Sequence, residues 1–370
     1  MSSSMKIKSV DIALCPLPLA RPINLGTVAM KTRDYVLTRI TTDCGREGYG
    51  IGFRSGTPLL DTLAALAPAL IGRDPLTRRQ ILTSIEESSV PGRSALIRAM
   101  SMVDLALWDI AAKVSDLPLY RYLGGSRREV PLVAVAGFSY TEREEQDVVD
   151  EVTRLADRGI HKIKILINGK DSLRDARYVT RIAKALDGRA SLVVDAHWSW
   201  RNLPAALETC SRIDELGLGF IEDPFLPQQW RLTSELRSRL KTPLAAGEDV
   251  LDLYGVLDLI GSVDVLRIDA TSNGGISGAL AALELAAAFG RSVVPHVFPY
   301  VHGHLACSHL SISSVEFIPE ETGADPINIL LDPPPTITNG HLVASEAPGI
   351  GLALAWSAVA AQASVQRTFN

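Results

Sequence analysis

The stretch SLVVDAHWSW, residues 191–200, begins as a buried β-strand and ends on groups that carry chemistry. Residues 192–194 are β-formers without polar alternation, which is typical of a strand covered on both faces. A carboxylate follows at Asp195 and an imidazole at His197. The stretch therefore predicts a buried parallel strand whose carboxyl end opens into a functional site.

The same pattern recurs along the second part of the chain, where short apolar runs alternate with amphipathic helical stretches. The apolar runs are VPLVAVAGF (130–138), HKIKILI (161–167), SLVVDA (191–196), LGFIED (218–223), TPLAAGED (242–249), VDVLRIDA (263–270), SVVPH (292–296) and SSVEFI (313–318). Eight such runs with helices between them predict an α/β fold of the TIM-barrel type. An open doubly wound sheet is the alternative, but no glycine-rich phosphate-binding fingerprint follows any run.

The first part of the chain has a different pattern of predicted secondary structure. Residues 9–53 predict β-strands separated by turn residues, and residues 58–125 predict helices with apolar side chains at three-to-four spacing. We therefore expect an α+β domain at 1–127, a barrel domain at 128–345, and a segment at 346–370 that packs back on the first domain.

Composition excludes several classes of partner. The formal net charge of −5 provides no basic field for nucleic acid or an anionic membrane. No apolar run reaches the roughly 18 residues of a membrane span, and the N-terminus lacks the apolar core of a signal peptide. The four cysteines form no CxxC pair, which favours a reducing cytoplasm.

Three successive predicted strands end in carboxylates, Asp195, Glu222 and Glu248. The carboxyl ends of parallel barrel strands meet at one face, where unpaired carboxylates would repel one another and raise each other's pKa. A divalent cation resolves this conflict. Because the set is all oxygen, without Cys or His, it favours Mg²⁺ over Zn²⁺.

The next two strands end in Asp269 and His296. A carboxylate beside an imidazole fixes its tautomer and raises its basicity, so we expect this pair to act as a general base. Lys162 and Lys164 lie on one face of the second strand. Lys164 is expected to reach the metal carboxylates or the substrate. For Lys162, substrate binding competes with an ion-paired structural role lower in the barrel.

Taken together, these motifs resemble the enolase superfamily, in its mandelate racemase-like subgroup. The resemblance covers almost the whole chain. It is carried by KIKI, VVDAH, FIEDP, AGED, RIDATSNGG, VPH and VEF, by ALWDIAAKVSDLPLYRYLGG (106–125), and by EAPGIGLAL (346–354).

The resemblance implies an α+β capping domain over a modified (β/α)7β barrel. It implies an essential Mg²⁺ on the three carboxylates and a His–Asp dyad at Asp269 and His296. It also implies that Glu316 hydrogen-bonds the substrate carboxylate. A symmetric homo-oligomer is expected, with an octamer as one form.

Racemases of this type carry a Lys-x-Lys motif on the second strand, and its second lysine is a base. The direct match places Lys162 and Lys164 at this motif. In the register that we favour, counted from Gly159, Lys164 is instead the first of these lysines and Leu166 stands at the second position. His197 then becomes the candidate for the second proton transfer, because Asp-x-His at this strand end resembles sugar-acid dehydratases. Lys164 is the alternative for protonating the departing hydroxyl. The alternative for His197 is a loop histidine stacked on a neighbouring tryptophan.

We therefore expect a dehydratase that acts on a hydroxylated carboxylic acid. The alternatives are a racemase, epimerase or cycloisomerase of the same fold, and a non-catalytic scaffold. Loops at 20–33 and 52–58 are expected to close over the substrate. Arg54 is a candidate for binding its distal groups, and Tyr300, followed by His302 and His304, is a candidate for lining the pocket.

Overall fold

The computed structural model describes residues 5–25, 28–88 and 94–370. Residues 26–27 of the predicted 20–33 loop, residues 89–93 of the predicted helical region, and residues 1–4 lie outside the described part of the chain.

The N-terminal domain is an antiparallel sheet followed by helices, as predicted. Its strands are β1 (Ile7–Leu25), β2 (Val28–Thr42) and β3 (Glu47–Phe53), and its helices are α1 (Leu59–Leu66), α2 (Arg78–Glu87), α3 (Ser94–Val114) and α4 (Leu119–Tyr122). The segment 20–33, predicted to be a loop, is mostly the end of a long β1–β2 hairpin, with Leu25 paired to Val28.

Helix α3 packs directly on β3, and the glycines of EGYGIGF make this possible. A Cβ at Gly50 would lie 2.2 Å from the carbonyl oxygen of Met102, and one at Gly48 would lie 2.1 Å from that of Ala106. Only residues without a side chain permit so close an approach of strand and helix.

The second domain is a closed barrel of eight parallel strands. The strands are β4 (Glu129–Ala136), β5 (Lys162–Leu166), β6 (Ser191–Asp195), β7 (Phe220–Glu222), β8 (Leu244–Ala246), β9 (Val265–Leu266), β10 (Ser292–Val293) and β11 (Val315–Phe317). The intervening helices are α5 (Glu145–Asp157), α6 (Ser172–Leu186), α7 (Leu203–Ile213), α8 (Trp230–Arg237), α9 (Leu253–Leu259), α10 (Gly275–Ala288) and α11 (Pro299–Ser308).

Strand β11 pairs in parallel with β4, and a bridge from Val293 to Ile312 joins β10 to the start of the last strand run. The sheet therefore closes on itself, which confirms the barrel and excludes the open doubly wound alternative. Eight strands with seven intervening helices give the (β/α)7β form.

After β11, the rest of the chain adds strands to the sheets of both domains. A hairpin of β12 (Thr336–Thr338) and β13 (His341–Val343) pairs antiparallel with the start of β4. Helix α12 (Trp356–Gln362) leads to β14 (Val365–Phe369), which pairs antiparallel with β1.

One hydrophobic core runs from the barrel into the N-terminal domain. Tyr35 and Leu37 of β2 and Leu105 of α3 belong to the same buried cluster as the barrel strands. This shared core fixes the β1–β2 hairpin over the carboxyl ends of the strands.

Candidate active site

The predicted metal carboxylates lie at adjacent strand ends. Asp195 on β6 pairs in register with Glu222 on β7, and Glu248 follows the end of β8. All three side chains are buried. The closest group, with carboxylate oxygens within 4.8 Å of one another, consists of Glu222, Asp223 and Glu248. The Oδ2 atom of Asp195 instead lies 3.1 Å from Nζ of Lys164.

Asp223 is a site residue that sequence reasoning missed. Strand alternation would turn its side chain away from that of Glu222. The backbone of Asp223 instead has φ of 45°, so the chain leaves the strand in the left-handed conformation at this point. The FIED sequence, with two adjacent carboxylates at a strand end, was the available signal.

The acidic group has unsatisfied oxygens. Among the described residues, Oε2 of Glu222 and Oδ1 of Asp223 have no hydrogen-bond partner, although both are buried. Burial, together with neighbouring carboxylates, raises the pKa of both residues well above the usual range, although Arg267 and Lys164 oppose this for Glu222. A divalent cation would satisfy these oxygens, and carboxylate oxygen is the donor that Mg²⁺ prefers. The residues therefore fit a magnesium ion.

Two buried cations lie between these carboxylates. Nζ of Lys164 is 3.1 Å from Glu222 Oε1 and 2.7 Å from Glu316 Oε2. Arg267 has no exposed surface, and its guanidinium reaches Glu222 Oε1 at 2.9 Å, Glu316 Oε2 at 2.7 Å and Glu248 Oε2 at 3.3 Å. Burial alone would lower the pKa of Lys164, but the carboxylates outweigh it and raise the pKa well above its usual value.

Arg267 is the second residue that sequence reasoning missed. It has the same strand parity as Asp269, and an arginine inside the buried run VDVLRIDA needs partners within the barrel. These two observations were available from the sequence. In the structure, Arg267 and Lys164 both bind Glu316, so Glu316 is held inside the barrel by two cations.

The predicted dyad is formed. Nδ1 of His296 lies 3.0 Å from Asp269 Oδ2, and Asp269 Oδ1 accepts hydrogen bonds from the backbone and hydroxyl of Thr271. This arrangement leaves Nε2 of His296 free, 3.6 Å from Glu248 Oε1. Burial by itself lowers the pKa of His296, but Glu248 and Asp269 raise it to about 9.

His197 lies at the end of β6 in a strained backbone segment. His197 and Trp198 have φ of 45° and 54°, which is uncommon for residues with side chains. The backbone N–H of His197 donates to Asp195 Oδ1, and its ring packs on Trp198 with centroids 4.1 Å apart and ring planes tilted by 38°. His197 therefore contacts a neighbouring tryptophan and also lies on the cavity wall.

A cavity of about 530 Å³ lies between Glu248, the dyad and His197 on one side and the N-terminal domain on the other. The barrel lines it with His197, Trp198, Glu248, Asp249, Asp269, Thr271, Ser272 and His296, and the N-terminal domain lines it with residues 29–34, Phe53, residues 55–57 and Arg98. Both segments predicted to close over the substrate, 20–33 and 52–58, contribute to its walls. Its volume suits a small organic acid.

Leu166 lies at the same level of the barrel as the metal carboxylates. It pairs in register with Asp195 and is buried in an apolar cluster with Leu19 and Ile23 of the hairpin. This strand position therefore offers no proton-transfer group.

Lys162 lies lower on the same strand face. Its Nζ is 3.5 Å from the hydroxyl of Ser314 and 5.9 Å from the ring centroid of Phe220. Burial and then Arg267 lower its pKa. Within the described ranges it has no carboxylate partner, so the ion pair expected for a structural Lys162 is not found.

Arg54 and Tyr300 are not among the residues lining the cavity. The side chain of Arg54 is 46% exposed and lies 3.7 Å from a carboxylate oxygen of Asp34. Tyr300 is buried on α11, against Phe298.

The histidines after Tyr300 are buried within the protein. His302 donates from Nδ1 to the carbonyl of Val297 and accepts from the backbone N–H of Ala270, so its ring is neutral and structural. His304 accepts from the backbone N–H of Tyr120.

Two family models together match most of the chain. Residues 8–124 match the mandelate racemase / muconate lactonizing enzyme N-terminal domain, and residues 147–358 match the enolase C-terminal domain-like model. In the described part of the chain, no helix is both long and apolar enough to cross a membrane.

Relatives with assigned activities include dehydratases and cycloisomerases. The L-talarate/galactarate dehydratase of Salmonella typhimurium is 29% identical over 82% of this chain and 79% of its own length. Muconate cycloisomerase 1 of Rhodococcus opacus is 27% identical over 96% of this chain and 98% of its own.

Solved structures show the same architecture. The Salmonella dehydratase superposes with a TM-score of 0.91 at 26% identity, covering 100% of this chain and 94% of that chain. The L-talarate dehydratase of Polaromonas, solved with Mg and L-glucarate, has a TM-score of 0.89 at 28% identity, covering 99% of this chain and 100% of that chain.

Proposed function

Because this chain belongs to the mandelate racemase/muconate lactonizing enzyme family of the enolase superfamily, we propose that it dehydrates a hydroxylated carboxylic acid, most simply a sugar acid. It is an Mg²⁺-dependent enzyme of the lyase or isomerase type. The dehydratase assignment is carried by the groups available for proton transfer. The cavity has a His–Asp dyad and His197 on its walls, and Leu166 occupies the strand position at which racemases carry their second lysine.

Asp195, Glu222 and Glu248 would hold the magnesium ion, with Asp223 beside them. When bound, Mg²⁺ supplies positive charge to the oxygens of the substrate carboxylate, where negative charge develops during α-proton removal. Lys164 keeps its proton because of the carboxylates around it, so it contributes fixed positive charge at the same place. Glu316, held in place by Lys164 and Arg267, would hydrogen-bond the substrate carboxylate.

His296 is the base in this proposal. Its Nδ1 is engaged by Asp269, so the lone pair of neutral Nε2 is available to take the proton from the carbon next to the carboxylate. Asp269 keeps the ring in this tautomer and stabilises the imidazolium that forms.

His197 is the acid. Loss of the hydroxyl from the β-carbon requires a proton, and the strongly raised pKa of Lys164 makes that residue a poor donor. The electron pair of the broken C–H bond forms the double bond between the α- and β-carbons as hydroxide leaves as water. Tautomerisation of the enol then gives a 2-keto-3-deoxy acid.

The experiment is a screen of sugar acids for 2-keto acid formation in the presence of Mg²⁺, with His296→Asn and His197→Asn alongside the wild type. We expect His296→Asn to abolish product formation and His197→Asn to lower kcat. Full activity in His296→Asn would refute the base assignment.

The second candidate is a cycloisomerase or racemase, favoured by the near-complete match to muconate cycloisomerase 1. Reaction in D₂O separates the two. Deuterium at the α-carbon of recovered acid without water loss would exclude dehydration. A non-catalytic scaffold would neither exchange the proton nor gain stability from Mg²⁺.

We propose domain limits of 1–127, 128–345 and 346–370. The family match that ends at residue 124 supports the first limit, and the pairing of β14 with β1 supports a final segment that packs on the first domain. The free cysteines Cys15, Cys44, Cys210 and Cys307 support a cytoplasmic enzyme. A homo-oligomer is supported by exposed Leu253, Tyr254 and Leu257 on α9, and light scattering after size exclusion would measure its size.

A further inference from the structure

Arg33 differs from the other arginines near the candidate active site. It lines the cavity, yet it is only 6% exposed. Its Nε donates to the carbonyl oxygen of Ala324 at 2.8 Å, and its guanidinium carbon lies 5.0 Å from the ring centroid of Phe53. These two contacts fix the plane of the guanidinium.

The two terminal nitrogens of Arg33 remain available. The described residues provide no hydrogen-bond acceptor for them and no carboxylate in ion-pair contact. Asp325 is close enough for Arg33 to influence its pKa, but it accepts hydrogen bonds from the hydroxyl of Tyr35 and the backbone N–H of Ile327. A buried guanidinium with free donors requires an anionic partner.

The other charged residues of the cavity wall are already paired or exposed. Arg98 binds Asp249 at 2.9 Å, and Lys31 is exposed. The guanidinium of Arg33 therefore presents two terminal nitrogens that are fixed in position and unpaired, an arrangement of hydrogen-bond donors that suits a carboxylate.

The position of Arg33 places it beyond the reacting end of the substrate. Phe53, under the guanidinium, packs on Phe298 with ring centroids 4.6 Å apart, and Phe298 follows His296 closely in the chain. Of the magnesium carboxylates, Glu248 forms part of the cavity wall, whereas Asp195, Glu222 and Lys164 are buried behind it. A substrate with its first carboxylate at the metal and the dyad beside its α-carbon extends toward the N-terminal domain.

We propose that Arg33 binds a second, distal carboxylate, so that the enzyme acts on a dicarboxylic sugar acid. This inference rests on the proposed function, because it assumes that the first carboxylate binds at the metal. It also replaces Arg54 as the residue for the distal end.

The test compares two ligands that differ only at the distal carbon, galactarate with a carboxylate and galactonate with a hydroxymethyl group. Their binding is measured by calorimetry with Mg²⁺ present, in the wild type, Arg33→Met and Arg33→Lys. The matched control is Arg46→Met, an exposed arginine in the turn between β2 and β3.

We expect the wild type and Arg46→Met to bind galactarate about 10- to 100-fold more tightly than galactonate, the range expected for hydrogen bonds between charged groups. Arg33→Met should reduce this ratio to about one by weakening galactarate alone, and Arg33→Lys should leave part of it. A wild type that prefers galactonate would overturn the proposal even if the variants did not fold. A ratio unchanged in folded Arg33→Met would overturn it as well.

Binding and turnover are read separately. Tight, Arg33-dependent galactarate binding without keto acid formation would refute the dehydratase assignment and leave the role of Arg33 intact. If keto acid formed from galactonate as efficiently as from galactarate, the dehydratase assignment would stand and the role of Arg33 would be refuted.

Discussion

Arg267 is in contact with Glu222, Glu248 and Glu316 at the centre of the barrel, where no solvent reaches it. Removing one partner from a buried ionic group leaves the other charges uncompensated. Arg267→Met should therefore lower the free energy of unfolding by about 3–5 kcal/mol in the absence of Mg²⁺. Urea unfolding with a chelator would measure this.

The matched control is Arg239→Met. Arg239 pairs with Glu235 on the protein surface, where such pairs contribute about 0–1 kcal/mol. Equal losses in the two variants would contradict the structural role of Arg267. Added Mg²⁺ should restore part of the stability of Arg267→Met, because it neutralises the same carboxylates.

The proton on His296 should control activity. A base must be neutral, and the pKa of His296 is raised to about 9 without a metal by Glu248 and Asp269, against the lowering effect of burial. The value of kcat/KM should therefore rise with pH as this proton is lost. Mg²⁺ on Glu248 weakens the attraction between Glu248 and the imidazolium, so at saturating Mg²⁺ the midpoint should fall below about 9.

Asp269→Asn removes a charge that favours the imidazolium, so the midpoint should move to still lower pH while the maximal rate drops. The pH profile of kcat/KM for both proteins is the measurement. A rate that falls between pH 6 and 9 would contradict His296 as the base.

At the scale of elements, the approach of α3 to β3 depends on Gly50. A Cβ there would lie 2.2 Å from a backbone carbonyl oxygen that cannot rotate away. Gly50→Ala should therefore separate strand and helix and cost about 1–3 kcal/mol, as overpacking does. Thermal unfolding would show the loss.

Gly261 is the matched control, since a Cβ at that position meets nothing within 4 Å and its backbone needs no positive φ. Gly261→Ala should change stability little. If the two variants melted alike, the close approach of α3 and β3 would not constrain the domain.

The elements of the barrel were predictable because buried parallel strands read as uninterrupted β-formers, as in SLVVDA. The hairpin end at 20–33 was not, because the family resemblance suggested a loop there, although its strands continue to Leu25 and from Val28. Some of the site residues were predictable from sequence in the same way, and others were not. Strand ends meet by topology, so Asp195, Glu222, Asp269 and His296 could be grouped from sequence. Asp223 depends on a left-handed backbone, and the choice between Arg33 and Arg54 depends on how β2 and β3 pack over the barrel.

At the scale of the whole molecule, Mg²⁺ should stabilise the fold because its ligands come from separate strands and are brought together only in the folded chain. At a concentration 100 times the Kd, the gain is about 2.7 kcal/mol. Thermal melts with Mg²⁺ and with a chelator would measure it, and Glu248→Gln should lose most of the difference. A wild type that melts identically in both conditions would contradict the magnesium site.

The pairing of the first strands with the last ones also constrains how the protein can be made. The barrel cannot close until β11 has been made and pairs with β4. Val10 on β1 cannot pair until Phe369 on β14 has been made. A nascent chain on the ribosome therefore carries an open barrel edge until residues 315–317 have been made, and an N-terminal sheet without its outer strand until residues 365–369 have been made. Such edges are sites of aggregation, so we expect the protein in cells to depend on chaperones until its last strand is released.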